Sequence, residues 1–149
     1  MTDPRTTSWR WLANRLQNMP ELRRRVDNWF IWEQSPRSDI ELPQPQTDGK
    51  YNVRLTPVFE PETPMASQGG RVIYQSPVMV RIEVRAFGPG LDGQIDLWGA
   101  FERAVDPVAD IDAARAQGIS WWEWVQPSVS PGDNTTATGG VRLVVMVTR

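Results

Sequence analysis

The sequence predicts a single α+β domain: a mostly antiparallel β-sheet with an N-terminal helix and a second amphipathic helix packed on one face. Three observations predict it. From Val78 to Phe87 the chain alternates strictly, with Val78, Val80, Ile82, Val84 and Ala86 on one side and Met79, Arg81, Glu83, Arg85 and Phe87 on the other. Strand side chains alternate faces, so this is a half-buried strand with a charged outer face. After the breaker Gly88-Pro89-Gly90, the residues Leu97, Ala100, Phe101, Ala104 and Val108 recur at helical spacing. A second helical stripe, Trp9, Leu12, Ala13 and Leu16, lies near the N-terminus. At 149 residues the chain can bury one core. The expectation is one domain over 1–149, with long surface loops at 34–50 and 57–70.

In chain order, Thr7 or Ser8 is the expected cap of the first helix, with Arg10, Asn14 and Gln17 facing outward. Pro20 interrupts it, and PELRRRV reads as a short second turn carrying Leu22 and Val26 inward. Arg23, Arg24 and Arg25 then end a helical turn, where cations complement the dipole and are able to grip a phosphate or carboxylate partner. Asp27 to Glu33 is aromatic and reads as a strand. Gln34 to Lys50, with prolines at 36, 43 and 45, reads as an ordered surface loop or a lightly tethered connection rather than a domain boundary. Tyr51, Val53 and Leu55 alternate with Asn52, Arg54 and Thr56, giving a second strand. Pro57, Pro61, Pro64 and Gln68-Gly69-Gly70 mark a loop before the central strand, so the two strands form a hairpin whose tip projects.

Asp92 is the expected cap of the second helix, whose polar face carries Asp96, Glu102, Arg103 and Asp106. Pro107 ends it near Asp106. The stretch to Gly118 reads as loop, and Asp110 and Asp112 as capping or solvated acids, because they lack the oxygen spacing of a calcium loop. Ile119 to Val125 is a strand with Trp122 and Trp124 on one face and Trp121 on the other, hence either central or facing a partner. Pro127, Pro131 and Gly132-Asp133-Asn134 connect it to a last strand, Val141 to Val147, which sets Val141, Leu143, Val145 and Val147 against Arg142, Val144, Met146 and Thr148. These two strands read as a hairpin.

Composition narrows the chemistry. There is no cysteine and no histidine, so thiol chemistry, disulfides, the commonest general base and the commonest metal ligand are all excluded. No GxxxxGK[ST] loop occurs. Gly88-Pro89-Gly90-Leu91-Asp92-Gly93 has GxGxxG spacing, but proline at its second position and the missing βαβ repeat argue against a dinucleotide turn. No enzyme and no cofactor is expected. A formal charge of −2 gives no global attraction to nucleic acid, and no apolar run reaches the length of a membrane span. Fifteen of the sixteen basic residues are arginine, and there are eight tryptophans. Both residue types are favoured in protein interfaces.

The helix WLANRLQNMPELRRRV, the strand YNVRLTPVF, the long strand VMVRIEVRAF and the helix LDGQIDLWGAFERAV, in that order, resemble the tail terminator (tail completion) proteins of long-tailed bacteriophages. The resemblance implies a non-catalytic virion protein of the tail and neck region, assembled in the host cytoplasm. It implies a homohexameric ring that caps the tail tube, stops its polymerisation and meets the head connector. The implied partners are further copies of the chain, the tube protein, a sheath where there is one, and the connector, with viral DNA passing the lumen unread. Interface residues expected on that reading are Arg23, Arg24 and Arg25; Arg81, Glu83 and Arg85, lining the lumen or a subunit contact; Met65 and Gln68 on the projecting loop; and Trp121 and Trp122. The tryptophan-rich strand and the segment 34–50 match no feature of the family. Two alternatives stand beside it: another head–tail joining ring (head-closure or adaptor) and, more remotely, a tryptophan-rich carbohydrate-binding module.

Overall fold

Asp3, not Thr7 or Ser8, starts the first helix. Its carboxylate accepts the Arg5 backbone N–H at 2.9 Å, and Pro4 occupies the first helical position. Proline fits there because the N–H it lacks would have no acceptor within the helix at that position. In the computed structural model, which describes residues 3–31, 41–87, 94–129 and 135–149, helix α1 therefore spans Pro4–Asn18. Thr7 and Ser8 lie within it, and buried Ser8 donates to the Gln117 carbonyl at 2.9 Å. The expected stripe of Trp9, Leu12, Ala13 and Leu16 is buried. Helix α2 (Pro20–Arg25) follows and leads directly into strand β1 (Val26–Ile31), whose first residue, Val26, is buried. Trp32 and Glu33, expected in the same strand, lie outside the described residues.

Strands β2 (Tyr51–Phe59), β3 (Thr63–Gln68) and β4 (Arg71–Ala86) come next. Helices α3 (Gln94–Arg103) and α4 (Ile111–Ala116) precede β5 (Ile119–Val129) and β6 (Thr136–Thr148). The sheet runs β1-β2-β4-β6-β5, with β3 also paired to β4. Every pairing is antiparallel except that of β1 with β2. The pattern expected of the central strand is present: Val78, Val80, Ile82 and Val84 are each 0 % exposed. They face the apolar side of α1 together with Leu97, Ala100 and Phe101 of α3.

Four further expectations change. The loop 57–70 is largely strand, because β2 continues to Phe59 and β3 folds back on β4 through Gly69-Gly70. Both glycines have positive φ (58° and 77°), which a two-residue hairpin turn requires. The stretch before Gly118 is not loop but α4, and Gly118 at φ 88° turns the chain from that helix into β5. Helix α3 stops at Arg103, so Val108 falls beyond the stripe that was meant to bury it and is 83 % exposed. Val144, expected to face outward, is fully buried because β6 sits between β4 and β5, flanked on that face by Pro77 and Trp121. The Asp92 cap, the Gly88-Pro89-Gly90 turn, residues 34–40 and the turn around Gly132 lie outside the described residues, as does the Asp96 side chain.

Two outcomes check this architecture. Hydrogen bonding from Arg5 holds the Asp3 carboxyl below its ordinary value of 3.8, so the stability it supplies is present above that pH and is lost as pH falls through the lowered folded value. Asp3→Asn is expected to flatten the acid limb of a melting-temperature profile below about pH 4 relative to wild type, a comparison read by circular dichroism. Ile82→Asp places an unpaired charge in the centre of the core and is expected to abolish the cooperative thermal transition.

Candidate interaction surfaces

The outward face of β4 is not the open charged stripe that alternation alone predicts. Glu83 lies opposite Arg54 on β2, and the two carboxylate oxygens accept from Nε at 2.9 Å and Nη2 at 2.7 Å. Both side chains are about nine-tenths buried. Next along the strand, Arg85 donates to the Leu42 carbonyl at 2.6 Å, while Asn52 donates to the Pro43 carbonyl at 2.9 Å. Segment 41–50 therefore lies on this face, with Leu42 only 2 % exposed. The cause is topological. Two parallel neighbours cannot be joined by a tight turn, so the connection from β1 to β2 has to cross the sheet. Of Arg81, Glu83 and Arg85, only Arg81 remains exposed; Glu83 is internal and Arg85 is half-buried. Those three do not form one surface.

A second polar cluster sits where β2 ends, and nothing in the sequence pattern announces it. Buried Arg5 donates through Nη1 to the carbonyls of Glu60 (2.6 Å) and Pro77 (2.9 Å), and Asp3 holds its Nε and Nη2. The Glu60 carboxylate accepts from Arg142 at 2.7 and 3.2 Å, and the same guanidinium reaches Glu123 on β5 at 2.6 Å. Hydrogen bonds to Glu60 first, then Glu123, push the Arg142 pKa further up. Glu60 is thus held by its backbone from one arginine and by its side chain from another. Glu60 lies 55 positions from Arg5 and 82 from Arg142 in the chain, and no local periodicity links them.

This cluster anchors a β-ribbon. Beyond it, β3 pairs with the first third of β4, and Arg149 pairs reciprocally with Val72 through backbone bonds of 2.7 and 2.8 Å. Arg149 also holds Glu62 at 2.9 Å. Every residue of β3 is exposed. Met65 falls at the register shift between Pro64 and Ala66 and is 57 % exposed, as expected of a bulged residue on an edge strand. Gln68 pairs with Arg71 at the turn. The projecting segment carrying Met65 and Gln68 is therefore a strand with fixed register.

The tryptophans lie at the opposite flank. Strand β5 is an edge of the sheet, so it is not central. Trp122 and Trp124 turn inward and are half-buried, while Trp121 is exposed on the other face. A groove of about 440 Å³ runs beside them, closed by Val105, Pro107 and Ile111 from the α3–α4 region. Two exposed carboxylates, Glu102 and Glu123, line it as well. That connection is braced. The Asp106 carboxylate accepts the N–H groups of Val108 and Ala109 at 2.7 Å, which holds its pKa down, and Asp110 pairs with Arg15 on α1. Asp110 thus serves as an ion-pair partner. Among the described residues, no group of three or more histidines, cysteines or acids is placed to hold a metal ion.

Arg23, Arg24 and Arg25 occupy the last turn of α2, at the β1 side of the sheet, with Arg23 and Arg24 exposed. Apart from Arg81, Glu83 and Arg85 on β4, the structure therefore separates the expected interface residues into three regions: arginines beside β1, Met65 and Gln68 on the ribbon, and tryptophans along β5. No protein-family model matches the chain, and no curated protein shows significant similarity to it. No helix among the described residues is long and apolar enough to cross a membrane.

The buried pair gives a measurable cost. Arg54→Ala or Glu83→Ala, each removing one side of the buried bidentate pair, is expected to lower unfolding free energy by about 3–5 kcal/mol. Arg54→Met combined with Glu83→Leu should lose much less than either single change. Urea denaturation with unchanged m-values would establish both.

Proposed function

We propose that the protein is a ring-forming structural subunit of a long-tailed bacteriophage: a tail terminator whose homohexamer caps the tail tube, stops its polymerisation and presents a surface to the head connector. The observation that supports this most is the distribution of surface features on one rigid sheet. Two unlike edges flank the sheet, one approached by arginines and one lined by tryptophan and carboxylate, and a braced ribbon extends from its end. Unlike patches on two sides of one subunit are what a heterologous contact needs, and such contacts close into rings when the rotation is right. The ribbon supplies a separate surface for a second ring or tube, with Met65 as its apolar contact.

On this reading no residue is catalytic and no cofactor is held. Specificity lies in interfaces with neighbouring subunits, the tube protein and the connector, and DNA crosses the lumen through contacts that carry no base information. Another head–tail joining ring would use the same surfaces; the component that the purified ring binds separates the two. The purified protein is expected to assemble to six times its 16.9 kDa chain mass, alone or on adding tail tubes, and to appear as rings at tube ends by negative-stain microscopy. A particle of single-chain mass that leaves tubes undecorated would overturn the proposal.

A further inference from the structure

Strand β5 is one edge of the sheet and β1 is the other, and an edge strand leaves a row of main-chain groups available for pairing. Four inter-strand steps separate the two edge strands, about 19 Å at ~4.8 Å per step, while in the helical layer α2 meets α3 through Glu21 and Arg103. The chemistry of the two edges is opposite. The groove along β5 is lined by Trp122 and Trp124 on the inward face with Glu102 of α3, while Trp121 and Glu123, on the outward face, border it along the strand edge. Arg142 is shared between Glu60 and Glu123, so those three groups together keep one net negative charge, and Glu102 adds a second without forming an ion pair to any described residue. An apolar aromatic wall with carboxylates suits a guanidinium on an apolar stem, which stacks on indole while its N–H groups reach the acids.

The β1 edge carries that group. Arg23 and Arg24 are exposed in the last turn of α2, immediately before Val26, and neither forms an ion pair with a described residue. Trp29, half-buried on β1, shares a shallow depression with Arg23 and supplies further aromatic area. We propose that the β5 groove receives the α2–β1 edge of a neighbouring copy of this chain, Arg23 and Arg24 lying against its tryptophan and carboxylate lining. The contact is heterologous, since each copy offers its arginine edge to one neighbour and its groove to the other. This inference rests on the ring reading and assigns that ring its subunit contact.

A charge exchange tests it. Arg23→Glu with Arg24→Glu, and separately Glu102→Arg, change exposed side chains and should leave the circular dichroism spectrum and melting curve intact. Each is expected to raise the protein concentration needed for half-assembly by about tenfold or more, read by sedimentation equilibrium. Carrying all three changes in one chain restores opposite charge across the contact, and assembly is expected to return towards the wild-type midpoint. Mixing the two defective proteins should also restore it, because each contact then joins either two native patches or two reversed ones. A wild-type ring whose assembly none of these changes alters overturns the assigned contact while leaving the ring reading in place. Weakening that neither the combined chain nor the mixture rescues overturns the pairing of these arginines with this groove. A wild-type protein of single-chain mass in the presence of tubes removes both.

Discussion

One strand is longer than the core that can cover it. Strand β4 has sixteen residues, about 53 Å at ~3.3 Å per residue, whereas the fifteen residues of α1 span about 22 Å. The helical layer can therefore bury only part of β4, and the burial pattern shows which part. From Val78 to Ala86 the inward positions are closed off, and from Arg71 to Gln75 they are not. The buried part pairs with β2 and carries the core; the remainder pairs with β3 and becomes the ribbon. Strand β6 runs beside both parts, from Thr136 opposite Arg85 to Thr148 opposite Ile73, so the ribbon shares one continuous hydrogen-bonded ladder with the core.

The junction between those two parts is held by two arginines, Arg5 buried and Arg142 half-buried. At Glu60 the β2 strand leaves β4: its N–H still donates to the Pro77 carbonyl at 3.1 Å, and the carbonyls of Glu60 and Pro77 each accept a bond from α1. Arg5 supplies both bonds from the first turn of α1, and Arg142 holds the Glu60 side chain from the other face. Guanidinium suits this position because its planar fork satisfies several acceptors at once without losing charge. The Arg54–Glu83 pair acts further down the same strands: a bidentate bond between cross-strand neighbours is geometrically exacting and penalises a register slip, which would bury two unpaired charges.

The two flanks of the sheet are managed differently. At the β1 side the connection into β2 crosses the outer face and covers polar side chains, leaving cations of α2 at the surface. At the β5 side the α3–α4 connection stops short of the last strand and leaves a groove floored by indole rings. An aromatic groove beside an unpaired strand edge exposes apolar area and main-chain groups together, a combination that natural proteins cover or protect when it has no partner. Its carboxylates bias what can enter towards cations. The ribbon, by contrast, keeps its exposed edge short and bulged at Met65.

Periodicity alone determined the core of this protein. The alternation from Val78 to Ala86, the stripe from Trp9 to Leu16 and the spacing of Leu97, Ala100 and Phe101 each stated which side would be buried, because burial of apolar area follows directly from pattern and helix or strand geometry. Absence of cysteine and histidine likewise bounded the chemistry without a structure. The tertiary structure alone decided the fate of the polar residues. Glu83 and Arg81 are equivalent in an alternating pattern, yet one is buried against Arg54 of the neighbouring strand and the other is in solvent, and no local signal specifies which. Arg5, Glu60 and Arg142 meet for the same reason: ion pairs are set by which strands become neighbours, and that is a property of the whole chain, not of any stretch of it.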